Sequence, residues 1–531
     1  KNKSIESMEK SINEWFLTVF GTKLYLALGS ATATADELIQ SQRTLFRKVS
    51  QSVGEAKSKR YSEQHLTDLF NPNSTYNTVL HGERECSICH TSTATLSPYG
   101  KDRDAEACPI CNGLYRLGEQ IVDSRDTVFV LARPNNSDTC ESIPKVEVYV
   151  NNWNDDADNL RLYLYVVPEV SLQKFEANHE ILRIYSKNTA KTGHNVFNRI
   201  WLADYVARKD NGQVYEFEEL ATSSGLGENK GIKRLGVLRA DVDNLGAAFI
   251  GGFISEGSDR FKYGTLSRYA DLSRDLAMFF KVAVNKMAQG DVQGFGTSVM
   301  PFTIWANKQV TTRKIHVIYS GGDDVFLVGA WDELLELAID IREKLAEVTD
   351  NKITMSAGLA LFSPSYPISQ MATITGLLES VAKDNDGKDS IALFGFETNS
   401  NGEERICRHI YKWDDLINNV IEDKLYTLDQ LFVIPGINEV QDSKMKLGKG
   451  LIYKLMELLQ GILNDRALGK HINVARILYL LARLEPKKNN PTYESYKNFV
   501  TAIHRWIQSE EDCKALLTAC NLIVYYMRDT K

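Results

Sequence analysis

Residues 314–329 read Lys-Ile-His-Val-Ile-Tyr-Ser-Gly-Gly-Asp-Asp-Val-Phe-Leu-Val-Gly. Two apolar, β-branched and aromatic runs, 315–319 and 325–328, flank Ser320-Gly321-Gly322-Asp323-Asp324. Such runs around a Gly-Gly pair predict a tight β-hairpin whose glycines take the positive φ angles of a two-residue turn. Adjacent carboxylates at its tip repel one another unless a cation lies between them. Mg²⁺ (or Mn²⁺) suits the place, because it takes oxygen ligands and keeps positions open for phosphate oxygens. A solvated turn could carry the same four residues, so the surroundings decide.

On the N-terminal side, Arg234-Leu-Gly-Val-Leu-Arg-Ala-Asp241-Val-Asp243-Asn-Leu-Gly246 reads as a buried strand running into a turn. A long amphipathic helix is predicted over 266–287. On the C-terminal side come a helix over 331–348, a strand over 353–362, a helix over 368–382 and a strand over 390–394. This order is that of a ferredoxin-like palm, a split βαβ unit with an added strand. In such a palm the first strand neighbours the hairpin, which sets Asp241 opposite Asp323 and Asp324. Three converging carboxylates suit two metal ions about 3.5–4 Å apart, the arrangement for in-line phosphoryl displacement. These three are the candidate catalytic residues and Mg²⁺ ligands. Asp243 either shares the face of Asp241 or caps the following turn. The backbone N–H groups around Leu245-Gly246-Ala247 open toward a helix and could cradle a triphosphate. With Gly321, Gly322 and Lys388, a lysine in the loop 382–389, Leu245 and Gly246 form the candidate nucleotide-binding set. No Walker loop is present, and no Ser-His-Asp or Cys-His set.

Farther out, Cys86-Ser-Ile-Cys89 and Cys108-Pro-Ile-Cys111 are two Cys-x-x-Cys knuckles separated by eighteen residues. That spacing predicts a four-thiolate structural zinc site, closed and therefore a staple rather than a catalyst. His90 is a bystander in this reading. Cys140, Cys407, Cys513 and Cys520 lack ligand spacing and read as small hydrophobes. Strands are expected at 24–28, 128–131, 146–150 and 161–166, and the polar, Gly-rich stretch 221–231 reads as an interdomain linker. After residue 400 strand signals give way to helical periodicity at 451–463, 474–484, 493–507 and 513–527. Two basic stretches, 57–60 and 444–449, read as solvated.

The 531 residues are 43% hydrophobic and 25% charged, which is ordinary globular composition with room for roughly three or four domains. A net charge of −7 restricts any nucleic-acid contact to local basic patches. No apolar run reaches 18 residues, so no membrane contact is expected, and paired cysteines without a secretion signal argue for a cytoplasmic protein. The chain opens at Lys1 rather than Met, as a fragment would.

Ser-Gly-Gly-Asp-Asp after an apolar strand, Asp-x-Asp-Asn-Leu-Gly-Ala-Ala-Phe before a helix, Gly-Ile-Lys-Arg-Leu at 231–235 and the two cysteine pairs together resemble the large polymerase-like subunit of type III CRISPR effector complexes, the III-A (Csm) branch best. The resemblance implies an α+β chain of two ferredoxin-like palm domains, a four-cysteine zinc insertion and an all-α C-terminal bundle. The implied boundaries are 1–70 for a partial first palm, 71–125 for the insertion, 126–222 for the first palm continued, 223–400 for the second palm and 401–531 for the bundle. It implies that the second palm converts ATP into cyclic oligoadenylates when target RNA binds, in antiviral defence. Asp323 and Asp324 then match the catalytic motif, and Asp241 the first-strand metal ligand. The implied partners are the crRNA-tag-binding subunit, the small subunit, crRNA and target RNA. Family members usually begin with an HD nuclease domain; no His-Asp pair occurs here, so no DNase activity is expected of this chain. The first palm is likewise expected to lack its opening strand and hairpin, which leaves a composite ATP site incomplete. A GGDEF-type dinucleotide cyclase shares the palm, but carries Glu-Phe where this chain has Asp324-Val325. A non-catalytic scaffold binding RNA and partner subunits is the reading from another class.

Overall fold

The computed structural model describes residues 2–40, 42–74, 84–92, 95–100, 105–123, 127–135, 143, 145–148, 162–189, 197–225, 230–253, 263–290, 302–304, 312–398, 405–431, 449–469 and 474–528. They form two compact units, 1–202 with 247–271, and 203–246 with 272–531. The basic stretch 444–448 and Cys140 lie outside the described residues.

The first unit opens with helix α1 (Asn2–Phe20). The predicted strand at 24–28 does not form. Its hydrogen-bond partners are side chains: Asn13 donates to Leu26 O and accepts from Leu26 N, both at 2.8 Å, and Glu9 accepts from Leu28 N at 3.0 Å. A bidentate asparagine replaces the neighbouring strand. Helix α2 (Pro109–Asp123) precedes a sheet of β1 (Thr127–Pro134), β2 (Lys145–Val148), β3 (Leu162–Pro168), β4 (His179–Lys187) and β5 (Phe197–Ile200). Its order is β2-β3-β1-β4-β5, antiparallel except at β4–β5. Val130, Tyr165 and Ile184 are wholly buried in its core.

The second unit is built on β6 (Leu235–Val242), β7 (Ile315–Ser320), β8 (Asp324–Ala330), β9 (Met355–Phe362), β10 (Ser390–Phe394) and β11 (Ile410–Lys412). The order is β11-β10-β9-β6-β8-β7, antiparallel except for β9–β10. Alternating residues feed two cores. Leu238, Ala240, Val325 and Leu327 pack against α3 (Trp331–Val348) and the helix 266–288; Val237 and Val328 pack against α4 (Ile368–Asp384). That period-2 alternation is what the sequence runs encode. Two expectations change. Residues 203–222 belong with this unit, because Ala207 N donates to Ile315 O and Val317 N to Tyr205 O on the open edge of β7. The described ends of the stretch 221–231 are tied down: Ser224 is buried, and Gly231 N and Ile232 N donate to Arg528 O and Tyr525 O, each at 2.7 Å.

The C-terminal helices α5 (Lys449–Ala467), α6 (Ala475–Leu484), α7 (Tyr493–Trp506) and α8 (Glu510–Met527) share one core with the sheet, so they do not separate as a unit. Strand pairing also continues past residue 400, where β11 extends the sheet on β10. Among the described residues no helix is long and apolar enough to cross a membrane.

His409 links β11 to α8, with Nδ1 2.7 Å from Thr518 Oγ1 and its ring edge-on to Phe394. Burial first, then the Arg408 charge, holds its pKa down at about 4. The folded state therefore binds this proton less readily than the unfolded chain, whose histidines titrate near ~6.5. Stability contributed by the neutral ring is complete above that value and is lost as pH falls toward 4. Acidification over this window should destabilise the wild type by roughly 3 kcal/mol more than it does His409→Gln. Denaturant melts at pH 7 and pH 4.5 check this; parallel losses in both proteins would refute it.

Candidate functional site

The β6 and β8 strands place the acidic residues. Asp241 lies directly opposite Asp324 in the antiparallel register, and Ser356 opposite Asp241 on the other side. Asp323 sits in the turn, where its carbonyl accepts from Val242 N at 3.0 Å. Asp323 is raised above the ordinary carboxylate range, by burial first and then by the charges of Asp241 and Asp324. Burial first, then the Asp324 carboxylate beside it, raises the pKa of the Tyr319 hydroxyl. The site thus concentrates negative charge at the hairpin tip, as the sequence leads one to expect.

The hairpin glycines do not act as expected. Neither Gly321 nor Gly322 adopts a positive φ. A Cβ at Gly321 would lie 2.6 Å from Asp324 Oδ1 and press on the Tyr319 hydroxyl, so the ends of those two side chains would have to shift. Gly322 faces open space, with nothing within 4 Å of a Cβ. The turn is held instead from below. Helix 266–288 widens into a π segment at Phe279–Ala283, and Ser320 Oγ donates to Phe280 O at 2.6 Å. Single-turn π segments release backbone carbonyls for such contacts.

A cation from the protein already engages Asp241. Lys383 Nζ donates to Asp241 Oδ2 and, at 2.8 Å, to Glu379 Oε1; Glu379 also pairs with Arg239 at 3.0 Å. Burial would depress the Lys383 ammonium, but these two carboxylates outweigh it and raise its pKa. Sequence reading ends the helix at 382 and assigns Lys383 to a loop, choosing Lys388 instead. In the structure α4 runs to Asp384, which sets Lys383 one turn after Glu379 on the face toward β6. The i,i+4 Glu-Lys spacing was the available signal.

Lys388 is elsewhere, its Nζ 2.7 Å from Asn244 Oδ1. Asp243 is buried and does not share the open face of Asp241: its Oδ2 accepts from Thr354 Oγ1, Ser356 Oγ and Asp389 N. Leu245 starts the short helix Leu245–Gly251 and packs its side chain on the core, while a Cβ at Gly246 would meet nothing.

Cys86, Cys89, Cys108 and Cys111 converge in the first unit, with Sγ atoms all within 4.8 Å of one another. Cys89 and Cys108 are 3.9 Å apart, against ~3.8 Å for the edge of a tetrahedron with 2.3 Å Zn–S bonds and ~2.05 Å for a disulfide. Burial raises the Cys86 thiol, but backbone donors from Cys89, Cys108 and Ile88 outweigh it and hold it down at about 6. The donor set and its spacing fit Zn²⁺. Among the described residues no other group of three or more metal-capable side chains is so tight.

Three family models match the chain: the second palm domain of Cas10/Cmr2 over residues 234–392, domain B of the Csm1 subunit over 1–74, and the second helical domain of the Cmr2 subunit of the CRISPR RNA silencing complex over 438–529. A relative from Mycobacterium tuberculosis, the CRISPR system single-strand-specific deoxyribonuclease Cas10/Csm1 of subtype III-A, is 33% identical over 99% of this chain and 58% of its own length. Its Streptococcus thermophilus counterpart is 32% identical over 99% of this chain and 59% of its own. The chain therefore spans less than two thirds of these relatives. Among solved structures, the Csm1–Csm4 cassette with cA4 superposes with a TM-score of 0.61 at 22% identity, over 99% of this chain and 60% of that one. The same cassette with one ATP gives 0.63 at 21%, over the same shares. With its acidic hairpin inside the matched palm, the chain is similar along 99% of its length to Cas10/Csm1 proteins of CRISPR subtype III-A, of which it spans less than two thirds.

Proposed function

We propose that the second unit is a nucleotidyltransferase that joins ATP into cyclic oligoadenylates, switched on by target RNA inside a cytoplasmic type III-A effector. The observation that carries this is the strand register that sets Asp241 against Asp324, with Asp323 in the adjoining turn. A sheet ordered β9-β6-β8-β7 with that hairpin at its edge supports a ferredoxin-like palm. The family match and the similarity to cassettes solved with cA4 and ATP point the same way. Bound Mg²⁺ or Mn²⁺ would supply the charge that activates a 3′-hydroxyl and neutralises the leaving pyrophosphate. The site fits such ions, since a lysine ammonium already neutralises Asp241, and burial together with the facing carboxylates raises the pKa of Asp323. Asp241, Asp323 and Asp324 would hold them. Gly322 leaves room for a phosphate, and the first-turn N–H groups at Leu245 and Gly246 donate where the helix has no acceptors of its own. The four cysteines hold zinc as a staple. The crRNA-tag-binding and small subunits, crRNA and target RNA are the proposed partners.

The test is product analysis of the full-length subunit assembled with its partners, crRNA and target RNA, given ATP and Mg²⁺. Adenylate oligomers from the wild type and none from Asp323→Ala/Asp324→Ala are expected. Oligomers from both proteins would move the chemistry elsewhere, and silence from both would leave an RNA-binding scaffold. Guanylate products would instead favour the dinucleotide-cyclase reading.

In this reading Lys383 exchanges Asp241 for a substrate phosphate once ions arrive. Charge-assisted hydrogen bonds contribute ~1.5–3 kcal/mol, so Lys383→Met should lower kcat/KM for ATP by about 10- to 150-fold. Steady-state kinetics check this, and an unchanged kcat/KM would make Lys383 a structural ion pair only.

A further inference from the structure

Asp243 is two residues beyond the metal-ligand candidate Asp241, yet it is 5% exposed and accepts three hydrogen bonds within the fold. Two of the donors, the Thr354 and Ser356 hydroxyls at 2.9 and 3.1 Å, stand at the start of β9. The third, at 3.0 Å, is the backbone N–H of Asp389. That peptide is unusual. Gly387, Lys388 and Asp389 have φ angles of 70°, 55° and 46°, three successive left-handed residues of which only one is glycine. Non-glycine residues hold that conformation only where the surroundings enforce it.

The enforcement comes from both ends of the 388–389 peptide. Its N–H goes to Asp243, and its carbonyl accepts from Ser390 Oγ at 2.6 Å and from Lys412 Nζ. Arg342 holds the Asp389 carboxylate at 3.0 Å and reaches Asp414 at 2.9 Å. The outcome is that Lys388 extends to Asn244, itself left-handed at φ 53°, at the turn that follows Asp241 and Asp243. Asp243 Oδ1 meets no donor. A buried carboxylate with an unpartnered oxygen is costly.

We propose that Asp243 is a positioning residue: it pins the left-handed 387–389 loop so that Lys388 stands over the Asn244 turn, where it binds the triphosphate of the incoming ATP. Asp243 touches no substrate and acts through Lys388. The inference rests on the nucleotidyl-transfer reading and assigns the loop's role in it. Sequence reasoning left Asp243 between two roles, ligand and turn cap; the structure gives it a third.

The experiment pairs ATP turnover in the assembled complex with ATP titration by calorimetry on the full-length subunit, for wild type, Asp243→Ala, Asp243→Asn, Lys388→Met and Asp243→Ala/Lys388→Met. Asp243→Ala should raise both KM and the dissociation constant for ATP about tenfold, with kcat moved far less. Asp243→Asn, which still accepts from the Asp389 N–H, should recover to within about threefold. The double variant should be no worse than Lys388→Met by more than about twofold, because the two act in series. Additive losses, or an unchanged KM in Asp243→Ala, overturn the proposal. If Asp243→Ala melts early, Asp243→Asn against Asp243→Asn/Lys388→Met supplies the same cycle. A wild type that binds ATP without converting it fails the synthase reading while the titrations still decide the loop's role. A wild type that does not bind ATP ends both.

Discussion

Asp241→Asn is expected to reduce oligoadenylate formation by about 100- to 1,000-fold while leaving the melting temperature nearly unchanged. The two effects separate because different atoms carry them. Strand β6 is held by backbone pairing to β8 and β9, and an isosteric amide leaves that register alone. The Asp241–Lys383 ion pair is partly solvated, with side chains 28% and 23% exposed, so its loss should cost no more than ~1 kcal/mol of stability. The negative charge has no substitute. Asp323 and Asp324 remain, but two carboxylates no longer bracket a cation from facing strands. A thermal melt beside product quantification checks both halves. Activity within a few-fold of wild type would remove Asp241 from the ion-binding set, and a collapsed melting temperature would make it structural.

Cys86→Ser should have the second large effect, on folding. Zinc bound per chain is expected to fall from about one to none, with new protease cleavage within 84–123 and other cleavage unchanged. Structural zinc sites contribute on the order of 10–16 kcal/mol of apparent binding energy, and such small modules have little else. Here the described module has two-residue strands, Ser97–Pro98 and Glu106–Ala107, and one buried cysteine at its centre. Serine keeps the shape and loses the thiolate that backbone donors from Cys89 and Cys108 stabilise. Strong chelation of the wild type should reproduce the same cleavage pattern. Metal analysis with limited proteolysis decides, and an unchanged digest in metal-free protein would remove zinc from the fold.

The legible parts of this chain were those with a short-range cause. Cys-x-x-Cys spacing fixes ligand geometry locally, and an unbroken apolar run at 325–328 calls for two buried faces wherever the strand lies. The hairpin was legible, though its glycines take no positive φ, and a Cβ at Gly321 would press on the ends of the Tyr319 and Asp324 side chains. What eluded sequence reading depended on distant partners. Residues 24–28 read as a strand because they are apolar, but Asn13 and Glu9 complete their hydrogen bonds. Lys383 was missed through a two-residue error at a helix end, which turned a sheet-facing lysine into a loop residue. Asp243 was ambiguous because its donors are more than a hundred residues away.

Gly322 makes the hairpin into an instrument. A Cβ on its neighbour would press on Tyr319 and Asp324, whereas an alanine at 322 would touch nothing and needs no unusual backbone angle. Any penalty measured there is therefore exerted by something that arrives from outside. Substituting alanine, then serine, then valine at 322 would take a cast of the visitor: the size at which turnover fails, while the melting temperature holds, is the clearance between the bare backbone and the bound nucleotide.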